Sequence, residues 1–221
     1  MRFRWMKWSA VPVAVLMAAG VAMGQSSTSS STTTPPAKPD PTIAQRKENQ
    51  QDRIANGVQS GQLTAGETAN LESKEAAINQ ETKADRAANG GKLTTAEKQQ
   101  VNQQQNQVSK QIYQDKHNAT TAHYGNNEVG QRRANQQARV AQGIRSGQLT
   151  AGETAKIENN ERGINQQVRA DRQANGGKLT SGEKQQINHE QNQTSRQIYR
   201  DKHNGATQGK AAKAGKAAKK P

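Results

Sequence analysis

Apolar residues are sparse along this chain, and where they recur they keep helical spacing. Ile54 and Val58 are four apart and Leu71 and Ile78 seven apart. Val101, Val108 and Ile112 follow heptad-like steps, with Tyr113 beside the last. This is the period of a helix with one narrow buried stripe. The intervening positions are Gln, Asn, Lys, Arg and Glu, and most of these are good helix formers. The alternation that marks strands is nearly absent. The pattern predicts helices over about 45–56, 65–87 and 95–117, then 131–142, 151–173 and 181–203. The expected fold class is all-α. The first copy's expected core is Ile54, Val58, Leu63, Leu71, Ile78, Leu93, Val101, Val108, Ile112 and Tyr113.

The two sets of helices belong to one repeated segment. Residues 45–118 align without a gap onto 131–204, displaced by 86 positions, with most pairs identical. A repeat of this kind fixes the architecture before any single residue is weighed. Within each copy a shorter motif recurs. Gly-x-Leu-Thr-x-x-Glu stands at Gly61–Glu67, Gly91–Glu97, Gly147–Glu153 and Gly177–Glu183. Thr followed three residues later by Glu is a capping box, in which each side chain accepts from the other residue's backbone N–H. A preceding glycine suits the left-handed residue that ends a helix. Each motif therefore reads as one helix stopping and the next starting.

The motif also matches the outgoing half of an EF-hand loop, which needs Gly at position 6, an apolar residue at 8 and a bidentate Glu at 12. The incoming half fits poorly. With Gly61 at position 6, position 1 is Asn56 and position 3 is Val58; with Gly91 there, they are Arg86 and Ala88. The second copy has Gln142 and Ile144, then Arg172 and Ala174. A shifted register gives the best candidate ligands, Asp85, Asn89 and Glu97, with Asp171, Asn175 and Glu183 in copy two. The expected architecture is thus a tandem duplication of a three-helix, EF-hand-like helix–loop–helix module. Calcium is the one cofactor that these loops suggest; a plain turn between capped helices is the competing reading.

Flanking segments set the location. Arg2, Arg4 and Lys7 precede an uncharged apolar run from Ala10 to Met23, and Ala22-Met23-Gly24 offers a small-residue cleavage site. Residues 1–24 read as a secretory signal peptide cut before Gln25. The run is short for a membrane span, which takes about 20 apolar residues. Residues 25–42 are Ser/Thr/Pro-rich, as in a disordered linker. Residues 43–118 and 131–204 are the two repeats, with a linker at 119–130. Residues 205–221 form a Lys/Ala/Gly tail, too charged to bury and expected to be disordered. The expected location is the bacterial periplasm or exterior.

Composition narrows the function. There is no cysteine, so neither disulfides nor a thiolate nucleophile is available, and aromatic residues make up 3%. So little apolar bulk points to a marginal core, completed by pairing of the two copies or by a homodimer. No serine sits in a nucleophile elbow. Asn89-Gly90-Gly91-Lys92 lacks the frame and trailing Ser/Thr of a phosphate-binding loop. The reading is not an enzyme. His117, His203, His123 and His189 are dispersed; the first two close their helices, where a cation favours the dipole. Ile112-Tyr113 and Ile198-Tyr199 are expected to pack the third helix of each copy, with a recognition patch as the alternative.

Net charge is +14, of which the leader holds +3 and the tail +5. Lys210, Lys213, Lys216, Lys219 and Lys220 are spaced by Ala and Gly, a pattern that neutralises phosphates without reading sequence. Outside the cytoplasm the polyanions within reach are anionic envelope polymers and extracellular nucleic acid. The expected role is a structural or adhesive module. The alternatives are a calcium-responsive protein, or a non-specific nucleic-acid binder acting through the tail.

The motif set as a whole resembles a recurrent type of small exported bacterial protein. The resemblance rests on Ser60–Glu67, Asn89–Thr94 and Gln111–Asn118 with their counterparts, and it covers both copies. It implies export and a helical repeat, and it brings no assigned activity.

Overall fold

The computed structural model describes residues 42–209. The leader at 1–24, nearly all of the Ser/Thr/Pro segment and the five tail lysines lie outside the described residues. Six helices follow in order: α1 (Ile43–Ser60), α2 (Ala65–Ala88), α3 (Thr95–His117), α4 (Glu128–Ser146), α5 (Ala151–Ala174) and α6 (Ser181–His203). There is no strand among the described residues. No helix among them is long and apolar enough to cross a membrane.

Capping chemistry sets the helix ends. Thr64, Thr94, Thr150 and Thr180 each accept from the backbone N–H of the glutamate three residues on, and each glutamate side chain returns to the threonine N–H. Thr42 and Gln45 form a fifth such box, which starts α1 at Ile43 rather than Gln45. Asn127 caps α4 through the Gly130 N–H, so that helix begins at Glu128, ahead of its expected start. Gly61 ends α1 in the left-handed region at φ 72°, where a side chain would be strained. Both first helices run longer than the apolar spacing suggests, to Ser60 and Ser146.

In each copy the third helix lies against the first two. Arg46 and Arg53 of α1 bond to Asn106 and to the Ser109 carbonyl of α3, at 3.0 and 3.1 Å. Residue numbers rise together along these contacts, so α1 and α3 run parallel. The chain then doubles back. Ala122 N–H donates to the Gly61 carbonyl at 2.8 Å, and in copy two Gln208 N–H donates to the Gly147 carbonyl at 2.9 Å. The segment after each third helix is therefore a strap over that copy's first loop. In copy two it lies within what the sequence assigns to the tail.

The copies pack on each other through α1 with α4 and α2 with α5. Positions that correspond in the repeat meet across this boundary. Arg145 Nη2 donates to Gln59 Oε1 at 2.7 Å, and these two are counterparts, 86 residues apart. A pseudo-twofold axis therefore passes between them. One apolar cluster spans both copies, from Ile54, Leu63, Leu71 and Ile112 to Val140, Leu149, Ile157 and Ile198. A smaller one joins Val129, Ile164, Val168 and Ile187.

Every expected core residue of copy one is buried except Tyr113, which is 61% exposed; Tyr199 is 64% exposed. Of the Ile-Tyr pairs expected to pack the third helix, the isoleucines Ile112 and Ile198 do so, fully buried, and the tyrosines do not. The core is instead completed by glutamines. Gln50 Nε2 donates to the Gln105 carbonyl and Ser109 Oγ, and Gln105 Nε2 to the Ile43 carbonyl. Gln136 and Gln191 repeat the arrangement in copy two. Their amide groups satisfy backbone carbonyls while their stems fill space.

Gly57 marks a close approach: a Cβ built there would lie 2.6 Å from the fully buried Leu63, and at Gly143 it would lie 2.6 Å from Leu149. Gly163, inside α5, has nothing within 4 Å. Gly57→Ala and Gly143→Ala should therefore lower stability by about 1–3 kcal/mol through overpacking. Gly163→Ala should raise it by about 0.5–1 kcal/mol through helix propensity. Thermal melts followed by circular dichroism would check both signs, and a stabilising Gly57→Ala would contradict the packing described.

Candidate functional site

The loop residues singled out as metal ligands come together in part. Asn89 Nδ2 donates to Glu97 Oε1 and Oε2 at 2.8 and 3.0 Å, and Thr94 N–H donates to Glu97 Oε2 at 2.7 Å. The Thr94 backbone bond, aided by Asn89, holds the Glu97 carboxyl below its ordinary value. Asp85 lies close enough to feel the charges of Glu97 and Glu81. Those charges, after desolvation, push its carboxyl up. In copy two Asn175 bonds Glu183 in the same way, while Asp171 accepts from Gln167 Nε2 at 2.7 Å. The glutamate oxygens are thus committed to capping, and the asparagine presents its NH₂ rather than its oxygen. Helix α1 also runs straight through Asn56 and Val58, where a cation loop would begin. Among the described residues, no three His, Cys, Asp or Glu side chains gather in a way that could hold a metal ion.

The other motif residues have structural partners. Asn118 Nδ2 donates to Glu67 Oε1 at 2.7 Å, and Asn204 to Glu153 at 2.6 Å, so the end of each third helix is tied to the cap of the second. His117 and His203 bond the carbonyls of Tyr113 and Tyr199 at 2.7 Å and stack on those rings. His123 contacts Thr121, and His189 contacts Gln193. A cleft of about 630 Å³ between α5 and α6 is lined mainly by amides and arginines, including Asn160, Gln167, Gln197 and Arg196.

The most unusual chemistry lies where α2 meets α5, and apolar periodicity does not find it. Glu72, Glu75 and Glu158 are fully buried, and Glu161 is 1% exposed. A signal does exist in the sequence. Thr68, Leu71, Glu75, Ile78 and Thr82 step 3-4-3-4 along α2, as do Thr154, Ile157, Glu161, Ile164 and Val168 along α5. Glu75 and Glu161 thus occupy core positions of a heptad stripe. Glu72 and Glu158 are counterparts in the repeat, and the charge of Glu72 is felt at Glu158 across the boundary between copies.

Few partners offset this burial. Gln51 Nε2 donates to Glu72 Oε2 at 3.0 Å and Gln137 Nε2 to Glu158 Oε2 at 3.1 Å. Both carboxyl oxygens of Glu75 and both of Glu161 lack a protein partner. Burial disfavours the charged form. It pushes Glu72 up to about 8, with Gln51 pulling the other way, and Glu75 up to about 7 against Lys47. Glu158 is held well above the carboxylate range by burial and by Glu161. Glu161 is pushed up to about 7 by burial, opposed by Arg133 and Arg139. Lys47 and Arg133 are themselves counterparts, one beside each pair. Arg133 also lies over the Tyr124 ring at 5.3 Å. Burial, with Glu158 next, drives the Tyr124 hydroxyl up to about 12.

The arrangement buries four carboxyl groups, all with raised proton affinity, where α2 meets α5. Comparison with protein-family models, curated proteins and solved structures returns no match, so the reading rests on this geometry alone.

Carboxyl groups held above their ordinary 4.5 bind protons in the folded state that the unfolded chain has already released. Their stabilisation is full below about pH 4.5 and is lost as pH rises through 7 to 8. The exposed caps Glu97 and Glu183, held low, work the other way and lose their contribution only in acid. The melting temperature should therefore be higher near pH 5 than at pH 9, by about 10 °C or more. Glu75→Gln with Glu161→Gln should remove roughly half of that difference. An unchanged slope in the double variant would rule out these groups as its source.

Proposed function

We propose that this is an exported, non-catalytic helical-repeat protein of the bacterial periplasm or exterior, a structural or adhesive module that holds anionic polymers. The observation that carries the reading is the balance of surface charge. The chain has 32 Lys and Arg against 18 Asp and Glu, and four of those acids are buried between the copies. Among the described residues a single ion pair forms, Arg132 with Glu128 at 3.3 Å. The remaining cations there are free of direct carboxylate contact. Several of them line polar clefts, among them Arg46 and Arg53 between α1 and α3 and Arg196 and Arg200 between α5 and α6.

In this reading the secretory leader delivers the protein and the Ser/Thr/Pro segment tethers it. Lys210, Lys213, Lys216, Lys219 and Lys220 add a basic extension. Each module is EF-hand-like in its helix–loop–helix pairing. A calcium-responsive role has one observation in its favour, the proximity of Asp85 to Glu97. It requires Asn89 to turn its oxygen inward and Glu97 to release the cap. A melt that shifts in millimolar calcium and returns with chelator would establish that role instead.

The tail is tested by changing its five lysines to glutamine in the full chain. Binding of double-stranded DNA should then weaken. The slope of log affinity against log salt should shrink by about 4.5, since each neutralised phosphate contributes roughly 0.9. An unaltered slope would remove the tail from the account.

A further inference from the structure

The repeated Ile-Tyr-x-Asp-Lys-His motif is not absorbed by packing or capping. Ile112 and Ile198 are fully buried, but the tyrosines beside them face solvent. Each is stacked on the histidine one turn later. The ring centroids are 4.2 Å apart for Tyr113 with His117 and 4.3 Å for Tyr199 with His203, inclined by 28° in both copies. A large exposed aromatic residue is otherwise missing from the described surface.

The surroundings of these rings are cationic. At about 100° per residue, Asn106, Ser109, Tyr113 and Lys116 share one arc of α3, the flank that faces α1. Arg46 and Arg53 reach that flank from α1, through Asn106 and the Ser109 carbonyl. A groove of about 590 Å³ runs between the two helices there, lined by Asn49, Gln50, Asp52 and Ser109 as well as the arginines. Lys110 lies one turn before Tyr113 and is exposed. Copy two preserves the pattern with different residues. Arg132 and Arg139 reach Asn192 and Ser195 at 3.1 and 2.8 Å, and Arg196 stands in place of Lys110. Asp52 is the one acid that lines the α1–α3 groove, and copy two has Ala138 at its position.

We propose that the α1–α3 groove, and the corresponding α4–α6 flank, is a binding track for single-stranded nucleic acid, with Tyr113 and Tyr199 as stacking platforms for bases and the flanking cations on the phosphates. Sequence-independent binding of single strands combines a basic groove with exposed aromatic faces, because every base has a π-face. The polar lining suits a hydrated polymer better than a lipid surface, which would need an apolar face around the ring. The proposal goes beyond the reading of the tail, because the residues lie on the helical body and act without the terminal lysines.

The test uses the full chain carrying Lys→Gln at positions 210, 213, 216, 219 and 220, so that the tail does not contribute. Oligo(dT) and heparin, a polyanion without bases, are titrated in parallel. Oligo(dT) should quench the tyrosine fluorescence. Tyr113→Ser with Tyr199→Ser should weaken oligo(dT) binding on the order of 10-fold and leave heparin binding unchanged. Lys110→Gln with Arg196→Gln should weaken both ligands and reduce their salt dependence. Equal loss of both ligands in the tyrosine variant would overturn the proposal in favour of a general polyanion face. Unchanged oligo(dT) binding in that variant, or no oligo(dT) binding once the tail is neutral, would overturn it outright. Both tyrosines are exposed, so the serine variants should melt like the parent.

Discussion

The packing of α2 against α5 is the contact on which the rest of this structure depends. Each copy alone has a thin apolar stripe and hardly any aromatic bulk. Placed together, the copies share one cluster that runs from Ile54 in α1 to Ile198 in α6. That shared burial requires Glu72, Glu75, Glu158 and Glu161 to leave water as well. Burying ionised carboxylates without partners costs far more than their neighbours return, so the groups take up protons instead. The apolar contact that holds the core thus also raises the proton affinity of these four groups.

Glutamine plays the complementary role. A buried side chain with an apolar stem and an amide end can fill space and still meet a backbone carbonyl. The pairs Gln50–Gln105 and Gln136–Gln191 do this between parallel helices in both copies. This explains how so polar a chain, with mean hydropathy −1.11, closes a core at all. The surface is left with amides and cations, and the capping glutamates are held by backbone N–H groups at helix starts. A body of this kind presents hydrogen-bonding and positive charge with few acids to compete.

How much of this was legible in the sequence depends on how local each feature is. Helix starts are readable because a threonine and a glutamate three residues apart satisfy each other without help from elsewhere. The nine aliphatic core residues of copy one are readable from their spacing. Polar residues at heptad positions are not, because apolar periodicity passes over Glu75 and Gln105 even though the stripe runs through them. Tyr113 misleads for the opposite reason. Adjacency to Ile112 suggests core, but one residue along a helix is about 100° of rotation, enough to carry the ring off the stripe. The strap at Gln208 resembles tail in composition, and only its bond to Gly147 shows that it belongs to the module. The pairing of copies has no local signature. It appears only where counterparts such as Gln59 and Arg145 touch.

That contact on the axis has a consequence for what the fused chain can become. In a dimer of identical chains, a residue on the twofold axis always meets itself, so a charge placed there meets its own kind. Joining the copies in one polypeptide lifts that restriction, and Gln59 against Arg145 uses the freedom: one side donates and the other accepts. Glu72 and Glu158 have not used it: the same acid stands at both counterpart positions. A single substitution on one side alone is open to this chain and closed to a symmetric homodimer, so the two halves can diverge in charge and in ligand without giving up the interface that folds them.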